Sequence, residues 1–102
     1  MDRIEKLKEF LLTEPDDPFL KHALALEYLK QGEVSTARRL LEEVLAKDPG
    51  AVGSYYQLGK LLEGIGEHSL ALDCYAQGMA AAKAAGERRA YNELQAAYDE
   101  LL

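Results

Sequence analysis

Apolar residues return every three or four positions along almost the whole chain: Leu7, Phe10 and Leu11, then Leu20, Leu24 and Tyr28, then Ala37, Leu41, Val44 and Leu45. Side chains recurring at that interval share one face of a 3.6-residue helix, so the pattern predicts amphipathic helices. No stretch alternates apolar and polar positions as a half-buried strand requires, and Val and Ile are scarce. The periodic stretches break at Pro15 to Pro18, Gly32, Pro49-Gly50, Gly64 to Gly66 and Gly86, where Pro or Gly ends or turns a helix. These signals predict six helices, near 2–13, 17–31, 34–47, 51–64, 67–84 and 87–101. Asp2 followed three residues later by Glu5 reads as a capping box, and Asp17 before Pro18 as an N-cap followed by an N1 proline. Connections this short imply antiparallel neighbours.

Shifted against itself by 34 residues, the chain pairs Pro15 with Pro49, Leu24 with Leu58, Gly32 with Gly66, Glu33 with Glu67, Ser35 with Ser69 and Ala37 with Ala71. The matches fall where a helical hairpin needs them, with glycine at the turn and a small residue where two backbones cross. The same shift pairs Ala25 with Gly59, which supplies the small residue on the first helix of each hairpin. Leu24, Tyr28, Leu41, Leu58, Leu62 and Tyr75 are the larger side chains expected to fill the space around each crossing.

On these residues the chain resembles the tetratricopeptide repeat family. Its pattern runs aromatic, Leu-Gly, Tyr, turn Gly, Ala, aromatic and closing Pro. Residues 52–85 carry Tyr55, Leu58-Gly59, Gly66, Ala71 and Tyr75, departing at Leu62 and Lys83; residues 18–51 carry Leu24-Ala25, Tyr28, Gly32, Ala37, Leu41 and Pro49, departing at Lys21. The resemblance implies an all-α fold of antiparallel helix-turn-helix repeats stacked as a short right-handed solenoid. Residues 1–15 stand as a half-repeat helix, 18–51 and 52–85 as two repeats, and 87–102 as a capping helix, all within one domain. In the half-repeat, Leu7, Phe10, Leu11 and Pro15 fall in register with Leu41, Val44, Leu45 and Pro49. The last helix sets Tyr91, Leu94 and Tyr98 on one side and Glu87, Arg88, Arg89, Glu93 and Asp99 on the other, an arrangement suited to closing a repeat array.

A length of 102 residues suits one compact domain, and a net charge of -6 argues against nucleic acid or an anionic membrane as partner. A neutral or basic peptide suits that charge better. The charged start reaches no long apolar run, and the single cysteine, Cys74, cannot form an internal disulfide, so a soluble cytoplasmic protein is expected. No catalytic residue, metal site or cofactor site is expected. His22 and His68 lie on different helices without ligands at metal spacing. Cys74 has no basic neighbour within a turn and reads as a packed thiol. Gly64-Ile65-Gly66 follows a helix rather than a strand, which excludes a dinucleotide loop.

The resemblance further implies a concave peptide-binding groove lined by the first helix of each repeat. Position by position it assigns Phe19, His22, Ala23, Leu26 and Lys30 from the first repeat, and Gly53, Tyr56, Gln57, Lys60 and Glu63 from the second. Phe19 and Tyr56 are the expected anchors, unless Phe19 packs on the first helix and Tyr56 stands without a partner. Some family members hold chaperone tails with a two-carboxylate clamp of Lys, Asn and Arg. Here His22, Leu26 and Gln57 occupy its places in the two repeats, which disfavours that ligand. A monomeric adaptor for a protein or peptide partner is the expected function. The alternative is a homo-oligomerising structural subunit, in which Leu101-Leu102 could extend the self-association surface.

Overall fold

A computed structural model describes residues 2–102, and six α-helices account for its regular structure: α1 (Arg3–Thr13), α2 (Pro18–Lys30), α3 (Val34–Lys47), α4 (Val52–Gly64), α5 (His68–Ala85) and α6 (Arg88–Leu101). No strand occurs among the described residues. Both N-caps read from sequence are formed: the Asp2 carboxylate accepts from Glu5 N at 2.8 Å, and the Asp17 carboxylate accepts from Leu20 N at 3.1 Å with Pro18 at the first helical position. The return bond from the Glu5 side chain that would complete a capping box is not formed among the described residues. Each N-cap satisfies an N–H that the helix itself leaves without a partner, worth about 1 kcal/mol.

Three turns are built alike. Gly32, Gly66 and Gly86 have φ of 77, 84 and 71°, the left-handed region in which a side chain is strained. In each turn the next residue reaches back to the helix it follows: Glu33 N donates to Tyr28 O, Glu67 N to Leu62 O and Glu87 N to Ala82 O, all at 2.9 Å. The glycine N–H meanwhile donates to Leu29 O, Glu63 O or Lys83 O. This six-to-one plus five-to-two pairing is the Schellman ending, which satisfies the last carbonyls and reverses the chain at once.

By packing, the chain falls into two units, one ending at Asp48 and the other running from Pro49 to Leu102. In the first, α1 packs on α2 and α2 on α3. Its core contains Leu7, Leu24, Ala25, Ala37, Leu40, Leu41 and Val44, with Ala25 and Ala37 wholly buried as a close crossing requires. Arg3 pairs with Glu27 at 3.0 Å, and Glu43 is shared by Lys21 at 3.1 Å and Arg39 at 2.9 Å. Being partly exposed, these pairs add little to stability and mainly set side-chain positions. The apolar stripe expected on α1 is narrower than the sequence suggested. Leu7 is buried and Leu11 half-buried, but Phe10 is 54% exposed. Against α2 a straight helix buries only a narrow arc, and Phe10 lies to one side of it.

In the second unit α4 packs on α5, and α6 packs on both. Tyr75, fully buried, occupies the space over Gly59, where an added Cβ would meet ring atom Cδ1 at 2.6 Å. Gly78 does the same for Tyr55 and Leu94. The Tyr55 hydroxyl donates to Pro49 O at 2.8 Å, fixing the approach to α4, and the Cys74 thiol donates to Tyr55 O at 3.3 Å. Leu94 and Ala97 are buried on α6 while Tyr91 and Tyr98 are half-buried, so α6 presents the expected side inward.

Candidate functional site

Pro18 starts α2 one residue before Phe19, and from there the helical pitch carries Phe19, His22, Ala23, Leu26 and Lys30 along one side. Phe19 is 78% exposed, which rules out the alternative in which it packs on the first helix. Behind it His22, Ala23 and Leu26 are half-buried, and burial lowers the pKa of the His22 imidazole. Lys30 is exposed and held by Glu27 at 3.2 Å. This stripe is therefore an aromatic end followed by a largely apolar, uncharged floor, closed by a cation whose charge is compensated.

On α4 the corresponding stripe holds Gly53, Tyr56, Gln57, Lys60 and Glu63. Three of the five meet. The Lys60 ammonium lies 6.0 Å from the Tyr56 ring centroid and 3.8 Å from Glu63 Oε1. The Glu63 Oε1 also accepts from the Tyr75 hydroxyl at 2.9 Å, and the Tyr56 and Tyr75 ring centroids are 6.4 Å apart at 47°. Tyr56 thus has partners on two sides. Burial raises the Tyr75 hydroxyl pKa well above its ordinary value, and acceptance by Glu63 raises it further, so the phenol remains a proton donor to that carboxylate. Helical spacing predicts Tyr75 only as core filling. Its hydroxyl reaches Glu63 across the hairpin, a relation that periodicity cannot reveal.

Gly53 and Gln57 stand apart from this cluster. Gly53, exposed, borders a cleft of about 500 Å³ shared with Val52, Glu87, Arg88, Arg89 and Ala90. A second cleft, of about 370 Å³, lies between the end of α5 and the start of α6 and includes Lys83, Arg88, Tyr91 and Asn92. Arg88 and Arg89 carry no ion pair among the described residues, although the sequence marked them only as the outer side of a closing helix.

The remaining chemistry-bearing groups do not assemble. Among the described residues no group of three or more His, Cys, Asp and Glu could hold a metal ion, and no helix is long and apolar enough to cross a membrane. His68 is exposed at the first turn of α5. Cys74 is buried, and desolvation pushes its thiol up to about 11, which opposes formation of the nucleophilic thiolate.

The tetratricopeptide repeat profile matches residues 18–61. A tetratricopeptide repeat domain protein from Salinibacter ruber is 44% identical, with 85% of this chain and 88% of that one covered and a TM-score of 0.82. A TPR repeat-containing protein of Pseudomonas aeruginosa is 29% identical over 91 residues, covering 89% of this chain and 87% of the relative. In fold alone, the TPR2B domain of yeast Sti1, solved in a complex with pHsp70, is similar at a TM-score of 0.89 and 16% identity, covering 96% of this chain and 78% of that one.

Proposed function

The chain belongs to the tetratricopeptide repeat family, and from that premise we propose that it is a non-catalytic adaptor holding a segment of another polypeptide through the first-helix faces of its two repeats. The observation that carries this reading is Phe19. A phenylalanine 78% exposed at the start of a well-capped helix contributes little to its own fold, yet it offers large contact area at small entropic cost to a partner. The half-buried His22, Ala23 and Leu26 beside it, and Tyr56 and Gln57 on α4, supply further apolar and hydrogen-bonding surface. A chaperone tail is not the ligand proposed, because His22, Leu26 and Gln57 lack the charge of a carboxylate clamp.

The reading is tested by affinity capture with the wild-type chain and a Phe19→Ala/Tyr56→Ala double variant of unchanged helicity. A protein enriched by the first and lost with the second supports the assignment. Equal capture by both removes it. A second reading, self-association, is favoured by the exposure of Phe10 at 54%, Leu12 at 82% and Leu102 at 75%. Sedimentation over a hundredfold range of concentration separates the two, since a constant monomer mass excludes self-association.

A further inference from the structure

We propose that the α4 face selects a basic side chain, arginine or lysine, of the bound polypeptide, with Glu63 as its counter-ion, the Tyr56 ring as its flank and Tyr75 as a positioning residue. This rests on the interaction reading above and adds the chemical class of the partner segment.

The two oxygens of Glu63 differ in their partners. Oε1 is engaged by the buried Tyr75 hydroxyl at 2.9 Å, whereas Oε2 has no partner among the described residues. A carboxylate on a surface helix ordinarily samples several rotamers, and ordering one for a ligand costs free energy at binding. Here the bond from Tyr75, whose own ring is locked over Gly59, holds one oxygen of a side chain 34% exposed and leaves the other without a partner among the described residues. The Tyr56 ring joins this group through Lys60, whose ammonium lies 6.0 Å from the ring centroid, so a bound guanidinium gains from the ring as well as the carboxylate only as the Lys60 side chain swings aside.

The charged group already nearby is Lys60. Its ammonium sits 3.8 Å from Oε1, beyond the 2.7–2.9 Å of a charge-assisted hydrogen bond, and its side chain is 42% exposed. Lys60 is thus a loosely held claimant on the oxygen Tyr75 already occupies. An incoming guanidinium can take Oε2 without displacing that contact. The net charge of -6 favours the same sign of partner at longer range.

The test uses the whole chain and three blocked pentapeptides, acetyl-Ala-Ala-X-Ala-Ala-amide with X as Arg, Gln or Glu, titrated by NMR. The Arg peptide should shift the amides of Tyr56, Lys60 and Glu63 and bind more tightly than the Gln peptide, with the Glu peptide weakest. Glu63→Gln should reduce that Arg-to-Gln preference by roughly fivefold, the upper end for an exposed ion pair. Tyr75→Phe keeps the ring and removes the hydroxyl, so it should lower the preference while leaving the Gln peptide's affinity unchanged. An unaltered preference in Glu63→Gln overturns the proposal, and an unaltered one in Tyr75→Phe removes the positioning role. If all three peptides shift α4 equally, the charge selection is wrong and the interaction reading stands. If no peptide shifts either α2 or α4, both fall together.

Discussion

The ring of Tyr75 fills the space that a side chain on Gly59 would need. The two residues are sixteen apart, on the two helices of one hairpin, and the small residue exists because the large one lies over it. Ala is a better helix former than Gly by about 0.8–1 kcal/mol, so an exposed helical glycine gains from that change. At position 59 overpacking of ~1–3 kcal/mol opposes the gain.

Gly59→Ala should therefore lower the thermal midpoint by roughly 5 °C, for a net loss of ~1 kcal/mol. In a Tyr75→Leu background the same change should become neutral or stabilising, because the ring is gone. Melting curves of the four proteins in this cycle check the coupling. Additive effects would mean that the ring is not what excludes the side chain.

Gly64 and Gly66 lie two residues apart and should respond oppositely to alanine. Gly64 ends α4 with open space around its Cα and without a positive φ, so Gly64→Ala should stabilise by about 0.5 kcal/mol. Gly66 has equally open space but a φ of +84°, and Gly66→Ala should destabilise by ~1–2 kcal/mol. Urea midpoints of the two variants decide it; equal signs would contradict the conformational argument.

Cys74 makes stability fall in alkali. The fold pushes its thiol from 9.0 up to about 11, so between those values the unfolded chain releases a proton that the native chain retains. The contribution is complete below about pH 9 and is lost as the pH rises toward 11. A Cys74→Ala variant should show a flatter decline of stability over that window. At pH 8 alkylation of the native thiol should be slow and should accelerate in urea along the unfolding transition.

Helix positions were legible in the sequence because their determinants are local. Asp17-Pro18 and the three glycines set the ends of α2, α4 and α5 through residues within six positions, and the observed bounds differ from the expected ones by a residue. The small residues at the hairpin crossings were legible for a different reason, since the 34-residue shift exposes them in pairs: Ala37 with Ala71, and Ala25 with Gly59. The exposure of Phe10 was not legible, because apolar spacing says which residues share a face but not how wide an arc a neighbour covers. At the candidate site the stripe on each helix followed from its pitch, whereas the Tyr75–Glu63 bond did not. That bond joins residues on two helices through side-chain rotamers, which no periodicity encodes.

The Schellman endings have a further implication, for how such a chain can grow. Each reversal is closed by backbone bonds within six residues and one glycine, and borrows nothing from distant parts of the chain. A copied segment containing Gly-Glu after a helix brings a working turn to wherever it is inserted. Residues along the helices are then free to differ, as Leu26 and Lys60 do at matching places of the 34-residue shift, while Gly32-Glu33 and Gly66-Glu67 keep the same turn.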